Sequence, residues 1–116
     1  MSKILSLPHF DNRFKRLAKK FKTLTTELSE LSKSLKNDPT QGTSLGSGLY
    51  KIRFASESKG GGKSGGFRII TYYLAEFENE STVYLVTIFD KSEERSIKKD
   101  YLLKIIKNAL DWKSTQ

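Results

Sequence analysis

The amino-acid sequence predicts a small α+β domain in which helices lie on one face of a mainly antiparallel sheet of about four strands. Three observations carry that expectation. Apolar residues recur at helical spacing from Phe10 to Leu35, three strand-like runs follow one another between residues 49 and 89, and a second helical stripe closes the chain. At 116 residues the sequence reads as a single domain, 1–116, long enough for one modest core. A hydrophobic fraction of 36% and an aromatic fraction of 11% suit a folded globule rather than a disordered tail.

Each element has its own signal. Ile4, Leu5 and Leu7 form a short apolar segment stopped by Pro8, an expected edge strand. Phe10, Phe14, Leu17, Phe21, Leu24, Leu28, Leu31 and Leu35 then alternate at spacings of four and three. Asp11 is placed to cap the start of this stretch, and Asn37-Asp38-Pro39 to end it. Taken alone the pattern suits one long coiled-coil helix. Thr23, Thr25 and Thr26 near its middle compete with helix through side-chain-to-backbone bonding, and a following sheet needs cover. Both points favour a helical hairpin bending between Lys22 and Thr25. Residues Pro39 to Gly48 read as a loop.

Strand runs are expected at Leu49–Ala55, Phe67–Leu74 and Thr82–Phe89, with Glu76 to Ser81 as an acidic turn. Their short connections predict antiparallel pairing. From about Ser96 to Trp112, Ile97, Tyr101, Leu102, Ile105, Ile106 and Leu110 share one helical stripe. The predicted order is β-α-α-β-β-β-α.

Charge narrows the function. The chain carries a net +8, with 21 basic residues against 13 acidic, and an isoelectric point near 9.7. That sign favours an anionic partner without choosing among RNA, DNA, acidic protein and anionic lipid. No apolar run approaches the roughly 20 residues of a membrane helix, and the N-terminus lacks a signal-peptide core, so a cytoplasmic location is expected. The absence of cysteine excludes disulfides, thiol nucleophiles and zinc-thiolate sites.

The segment from Tyr50 to Tyr73 holds Lys51, Arg53, Lys59, Lys63 and Arg68 against a single acid, Glu57. Period-two alternation places Tyr50, Ile52 and Phe54 on one side of the first strand and Lys51 and Arg53 on the other. A return strand through Phe67-Arg-Ile-Ile can bring Arg68 beside them, with Lys91 just past the third strand. The bland reading is a solvated sheet face. The sharper one is a phosphate site, since arginine binds phosphate bidentately and lysine supplies a point charge. RNA cleavage by 2′-hydroxyl attack needs a proton acceptor, a proton donor and positive charge on the phosphate, which clustered lysines and arginines supply without histidine.

Other motifs carry less. Gly60, Gly62 and Gly65 match G-x-G-x-x-G, but a strand follows where the dinucleotide fingerprint needs a helix. Gly62-Lys63-Ser64 resembles a P-loop ending whose first glycine is replaced by Glu57. The loop is either a plain hairpin connection or a basic flap that orders on RNA. The lone His9 is expected in a surface or capping role, and Glu76, Glu78 and Glu80 as solvated charge rather than metal ligands. Glu93 and Glu94 lie between Lys91 and Arg95, where local ion pairing is the default.

The ordered trio Gly48-Leu-Tyr-Lys-Ile-Arg-Phe-Ala, Lys59-Gly-Gly-Gly-Lys-Ser-Gly-Gly-Phe-Arg-Ile-Ile-Thr-Tyr and Val83-Tyr-Leu-Val-Thr-Ile-Phe-Asp-Lys-Ser-Glu resembles bacterial toxins of the RelE/ParE superfamily, closest to the HigB-like branch. The resemblance extends over roughly residues 9 to 110. It implies two N-terminal helices packed on the sheet, a C-terminal helix, a cognate antitoxin partner, and cleavage of mRNA in the ribosomal A site without metal or other cofactor. By position it implies catalytic roles for Lys51, Arg53, Arg68 and Lys91. Lys59 and Lys63 of the glycine-rich loop, with Arg95, are expected to contact RNA. This chain departs from RelE in having Ser92 directly after the lysine and Asp90 directly before it, and Tyr101 falls beyond RelE's late tyrosine. The superfamily also contains DNA gyrase inhibitors and silent relatives, so a ParE-like inhibitor and a non-catalytic nucleic-acid-binding domain are the alternatives.

Overall fold

Alternation along Leu49-Tyr-Lys-Ile-Arg-Phe54 sets the frame of the molecule, because the sheet is covered on both sides. The computed structural model describes residues 2–60, 66–75 and 80–114, with side chains described as far as Leu110. The chain runs through β1 (Lys3–Ser6), α1 (Pro8–Lys20), α2 (Leu24–Asn37), β2 (Thr43–Gly46), β3 (Leu49–Phe54), β4 (Phe67–Ala75), β5 (Ser81–Asp90), a 3₁₀ turn (Lys91–Ser96) and α3 (Lys99–Ser114). The five strands lie in the order β1-β5-β4-β3-β2. β2 through β5 pair antiparallel, while β1 lies on the outer edge, parallel to β5.

The α+β class, the edge strand at the N-terminus, the helical hairpin and the antiparallel trio agree with the sequence reading. The hairpin breaks where the threonines cluster. The Thr23 hydroxyl donates to Ser58 Oγ at 2.8 Å and lies 3.1 Å from Glu27 Oε1, which ties the break between α1 and α2 to the segment after β3. Glu27 in turn accepts the Glu57 N–H at 2.8 Å.

Three expectations are corrected. The segment from Pro39 to Gly48 is not all loop: it contains β2, which makes five strands rather than about four. Ser47 and Gly48 join β2 to β3 with φ of 56° and 82°, the paired left-handed conformation of a tight hairpin turn. Gly48 is required there twice over, because a Cβ would also meet the Tyr72 ring at 3.0 Å. Asp11 does not cap α1. The helix begins at Pro8 with Leu7 in the capping position and no side-chain cap, and proline's fixed φ with no N–H suits that first turn.

The helices also do not share one face. Phe10, Leu24 and Leu35 of the hairpin pack on Ile52, Phe54, Phe67, Ile69, Val83, Leu85 and Ile88. Leu102 and Ile106 of α3 pack on the opposite side, over Leu49, Ile70, Tyr84, Val86 and Phe89. The apolar stripe from Ile97 to Leu110 is as consistent with one face as with the other. What decides is that β5 is apolar on both sides, with every residue from Thr82 to Phe89 buried. A β-bulge shifts the phase within it. The β4–β5 register slips between Ile70/Thr87 and Thr71/Leu85, leaving Val86 as the extra residue. It resets the alternation, so that Ile88 faces the hairpin and Phe89 faces α3.

Phe10 is 1% exposed and stacks on Phe14 with ring centroids 5.6 Å apart, whereas Leu5 on the edge strand is 40% exposed. Phe10→Ala is therefore expected to lower unfolding free energy by about 3–5 kcal/mol. Leu5→Ala should change it by less than about 1 kcal/mol. Urea unfolding of the two variants checks the pair.

Candidate functional site: a cation cavity on the sheet

Strand register does the first part of the work. Lys51 pairs with Ile70 and Arg53 with Arg68 across β3 and β4, so the three cations share the face opposite the helical hairpin. β5 ends at Asp90 and delivers Lys91 beside them, its N–H donating to the Gly66 carbonyl at 3.2 Å. Lys51, Arg53, Arg68 and Lys91 line one cavity of about 360 Å³, completed by Thr43 and Glu94. Arg53 and Lys91 are exposed, Lys51 is half-buried, and Arg68 is 3% exposed. The Arg68 side chain is steadied from its own strand, with Nη1 donating to the Phe67 carbonyl at 3.1 Å.

Glu94 was read from sequence as a local partner of its neighbours, and its actual partners lie across the sheet. Its carboxylate accepts a hydrogen bond from Lys51 Nζ and stands 3.8 Å from Arg68 Nε. The Lys51 hydrogen bond, with the positive charges of Lys51, Arg68 and Lys91, holds the Glu94 carboxyl below the usual glutamate value, and modest burial opposes them. Glu93 also points away from its neighbours, to Arg13 at 3.4 Å. What aims Glu94 is the 3₁₀ turn. Asp90 Oδ1 accepts from the Ser92 N–H at 3.0 Å, and Glu93 Oε1 accepts from the Asp90 N–H at 3.2 Å. This reciprocal cap fixes the turn at the end of β5. The Asp-x-x-Glu spacing of Asp90 and Glu93 was the available signal that residues 91–96 form a turn rather than a solvated charge run.

The expected RNA-contacting cations are placed differently. Lys59 pairs with Asp90 at 3.0 Å and lies over the Phe67 ring at 5.3 Å, so its ammonium is engaged within the fold. Arg95 is exposed on the turn and does not line the cavity. Lys63, with Gly62, Gly65, Glu76 and Glu78, lies outside the described residues. Tyr101 is also away from the cavity, its hydroxyl 3.1 Å from His9 Nε2. Partial burial and the nearby Arg13 lower the pKa of His9, with the Val86 backbone opposing. Among the described residues, no group of three or more His, Asp or Glu side chains is arranged to hold a metal ion.

Four cations and one carboxylate thus surround a single open cavity and concentrate positive charge there. The sequence matches the family model described as the RelE toxin of the RelE/RelB toxin–antitoxin system over residues 9–116. The chain belongs to the RelE toxin family, and that membership implies a RelB-type antitoxin as its partner. No helix among the described residues is long and apolar enough to cross a membrane.

The lowered Glu94 value has a consequence for stability. A carboxyl whose folded pKa is depressed contributes stability that is present above the unfolded value and is lost as pH falls through the folded one. Asp90 and Glu27 are shifted the same way. The protein should thus lose stability as pH falls from about 5 to about 3. Glu94→Gln should lose less over that range, because its share is already absent. Urea midpoints at the two ends measure the difference, and equal losses would show that the Lys51–Glu94 pair contributes nothing.

Proposed function

We propose that the protein is a ribosome-dependent, metal-independent endoribonuclease of the HigB-like branch, which cleaves mRNA in the cytoplasm and is neutralised by its antitoxin. The convergence of Lys51, Arg53, Arg68 and Lys91 on one cavity, in a chain of the RelE toxin family, supports this reading most directly. The 2′-hydroxyl oxygen attacks the adjacent phosphorus, the P–O5′ bond breaks as O5′ takes a proton from water, and a cyclic phosphate and a 5′-hydroxyl are left. Arg68 and Lys91 hold the phosphate and offset the charge that builds on its oxygens. Lys51 and Arg53 place the ribose and its 2′-hydroxyl, whose proton passes to water in the open cavity. The ribosome supplies much of the substrate's positioning, so isolated RNA is cut slowly.

A second surface supports the antitoxin half of the reading. A groove of about 690 Å³ runs between the helical hairpin and β1, with Phe10, Phe14 and Leu28 in its floor and Lys15, Lys19 and Lys36 among its lining residues. Apolar floor and basic lining suit an amphipathic acidic segment of the antitoxin that folds on binding.

Two measurements test the two halves. On programmed ribosomes, Arg68→Lys, which keeps the charge and loses the planar fork, and Lys91→Ala, at an exposed position, should each slow mRNA cleavage about 100-fold or more with melting temperature little changed. Full cleavage by both soluble variants contradicts the assignment, and growth arrest with intact mRNA and stalled replication points to gyrase inhibition instead. Ala18→Glu, in the groove lining, should raise the antitoxin dissociation constant at least about tenfold, or ~1.4 kcal/mol, and leave cleavage intact. An unchanged constant would move the docking surface elsewhere.

A further inference from the structure

The cavity assembled for an anion already has one of its own. Glu94 reaches in from the 3₁₀ turn, accepts from Lys51 and stands within ion-pair range of Arg68. A carboxylate and a phosphate present the same chemistry to these cations, two or more oxygens sharing negative charge. We propose that Glu94 holds the place of the substrate phosphate in the resting protein, and that an RNA phosphodiester enters by displacing it from Lys51 and Arg68. The proposal rests on the reading of the cavity as a phosphate site.

Three features favour displacement over a fixed structural pair. The Glu94 side chain is 31% exposed, so it has solvent to swing into. Its hold on Arg68 is ionic only, since 3.8 Å exceeds a hydrogen bond. The turn that carries it is anchored by Asp90 and Glu93, not by Glu94, so its side chain can leave without unwinding the turn. A second role for the same group, proton acceptor from the 2′-hydroxyl, fits less well. A general base works best with a pKa near the operating pH, and the surrounding cations push Glu94 the other way.

The physical consequence is a trade. Arg53 and Arg68 face each other directly across two strands, with Lys51 and Lys91 beside them. Like charges so placed destabilise a sheet. Glu94 relieves that repulsion in the free protein and competes with incoming phosphate for the same cations. Loss of its carboxylate should lower stability and raise anion affinity together, a combination that a merely structural residue does not give.

The test measures binding by the purified toxin of two probes at fixed salt. One is inorganic pyrophosphate, and the other is an oligoribonucleotide 2′-O-methylated throughout, which cannot react. Glu94→Gln should bind both about tenfold tighter than the native protein. Glu30→Gln makes the same change of net charge at an exposed position on α2 and should stay within about twofold of the native protein, as expected for a distant, screened charge. Glu94→Asp keeps the net charge and retracts the carboxylate from Lys51, and it should shift affinity in the same direction, which covers the case in which the glutamine variant fails to fold. Equal affinities for Glu94→Gln and Glu30→Gln, or weaker binding by Glu94→Gln, overturn the displacement and leave the phosphate site standing. Tightening for pyrophosphate alone assigns the cavity to a free phosphate and overturns the RNA reading. No binding by any form, native included, overturns both.

Discussion

Arg53 and Arg68 stand opposite each other in an antiparallel pair, and much of the domain serves to hold them there. Their positions follow from period-two alternation: once Ile52, Phe54, Phe67 and Ile69 are committed to the core under the helical hairpin, the residues between them must face the other way. A slip of one residue in register would bury the cations under the hairpin and expose the core. The hydrophobic core thus enforces the charge cluster against its own repulsion, and Glu94 offsets part of that cost from a neighbouring turn.

The opposite face is finished by two further devices. The bulge at Val86 resets the phase of β5, which places Phe89 under α3, and the strand then ends beside the cavity. The capped turn converts the end of a buried strand into a platform that presents Lys91 and Glu94 from adjacent turns of the same short element. A second, smaller cavity of about 220 Å³ lies between the sheet and α3 and shares Lys51 and Glu94 with the first. Movement of Glu94 therefore touches both the cation cavity and the packing of α3. The site sits on strands and a tied turn, which suits a task that depends on fixed placement of charge.

Much of this was legible in the sequence. The heptad run with its threonine break gave two helices, and the alternation at Lys51 and Arg53 gave the face on which Arg68 joins them. What was not legible depended on three-dimensional context. Thr43 lies in a stretch dominated by Gly, Ser and Pro, a composition that reads as loop, and the left-handed pair Ser47-Gly48 that folds it into a hairpin shows only in the backbone. The side taken by α3 depended on β5 being apolar on both faces, a pattern that a continuous run such as Val83-Tyr-Leu-Val-Thr-Ile-Phe89 does not separate from alternation plus a bulge. Glu94 has basic neighbours in sequence that offered a nearer explanation, and only the capped turn reveals that it faces the sheet. Lys59 showed the converse, a loop cation that the fold engages with Asp90.

If these cations act on a phosphate attacked by its own 2′-hydroxyl, the cut ends carry the mark of it. Programmed ribosomes carrying an mRNA with a single 2′-deoxynucleotide immediately 5′ of the cleavage position should resist the toxin, while the all-ribose message should give fragments with 5′-hydroxyl and cyclic-phosphate ends. Cleavage of the deoxy-substituted message, or 5′-phosphate ends on the fragments, would mean that water is the nucleophile and that the 2′-hydroxyl takes no part.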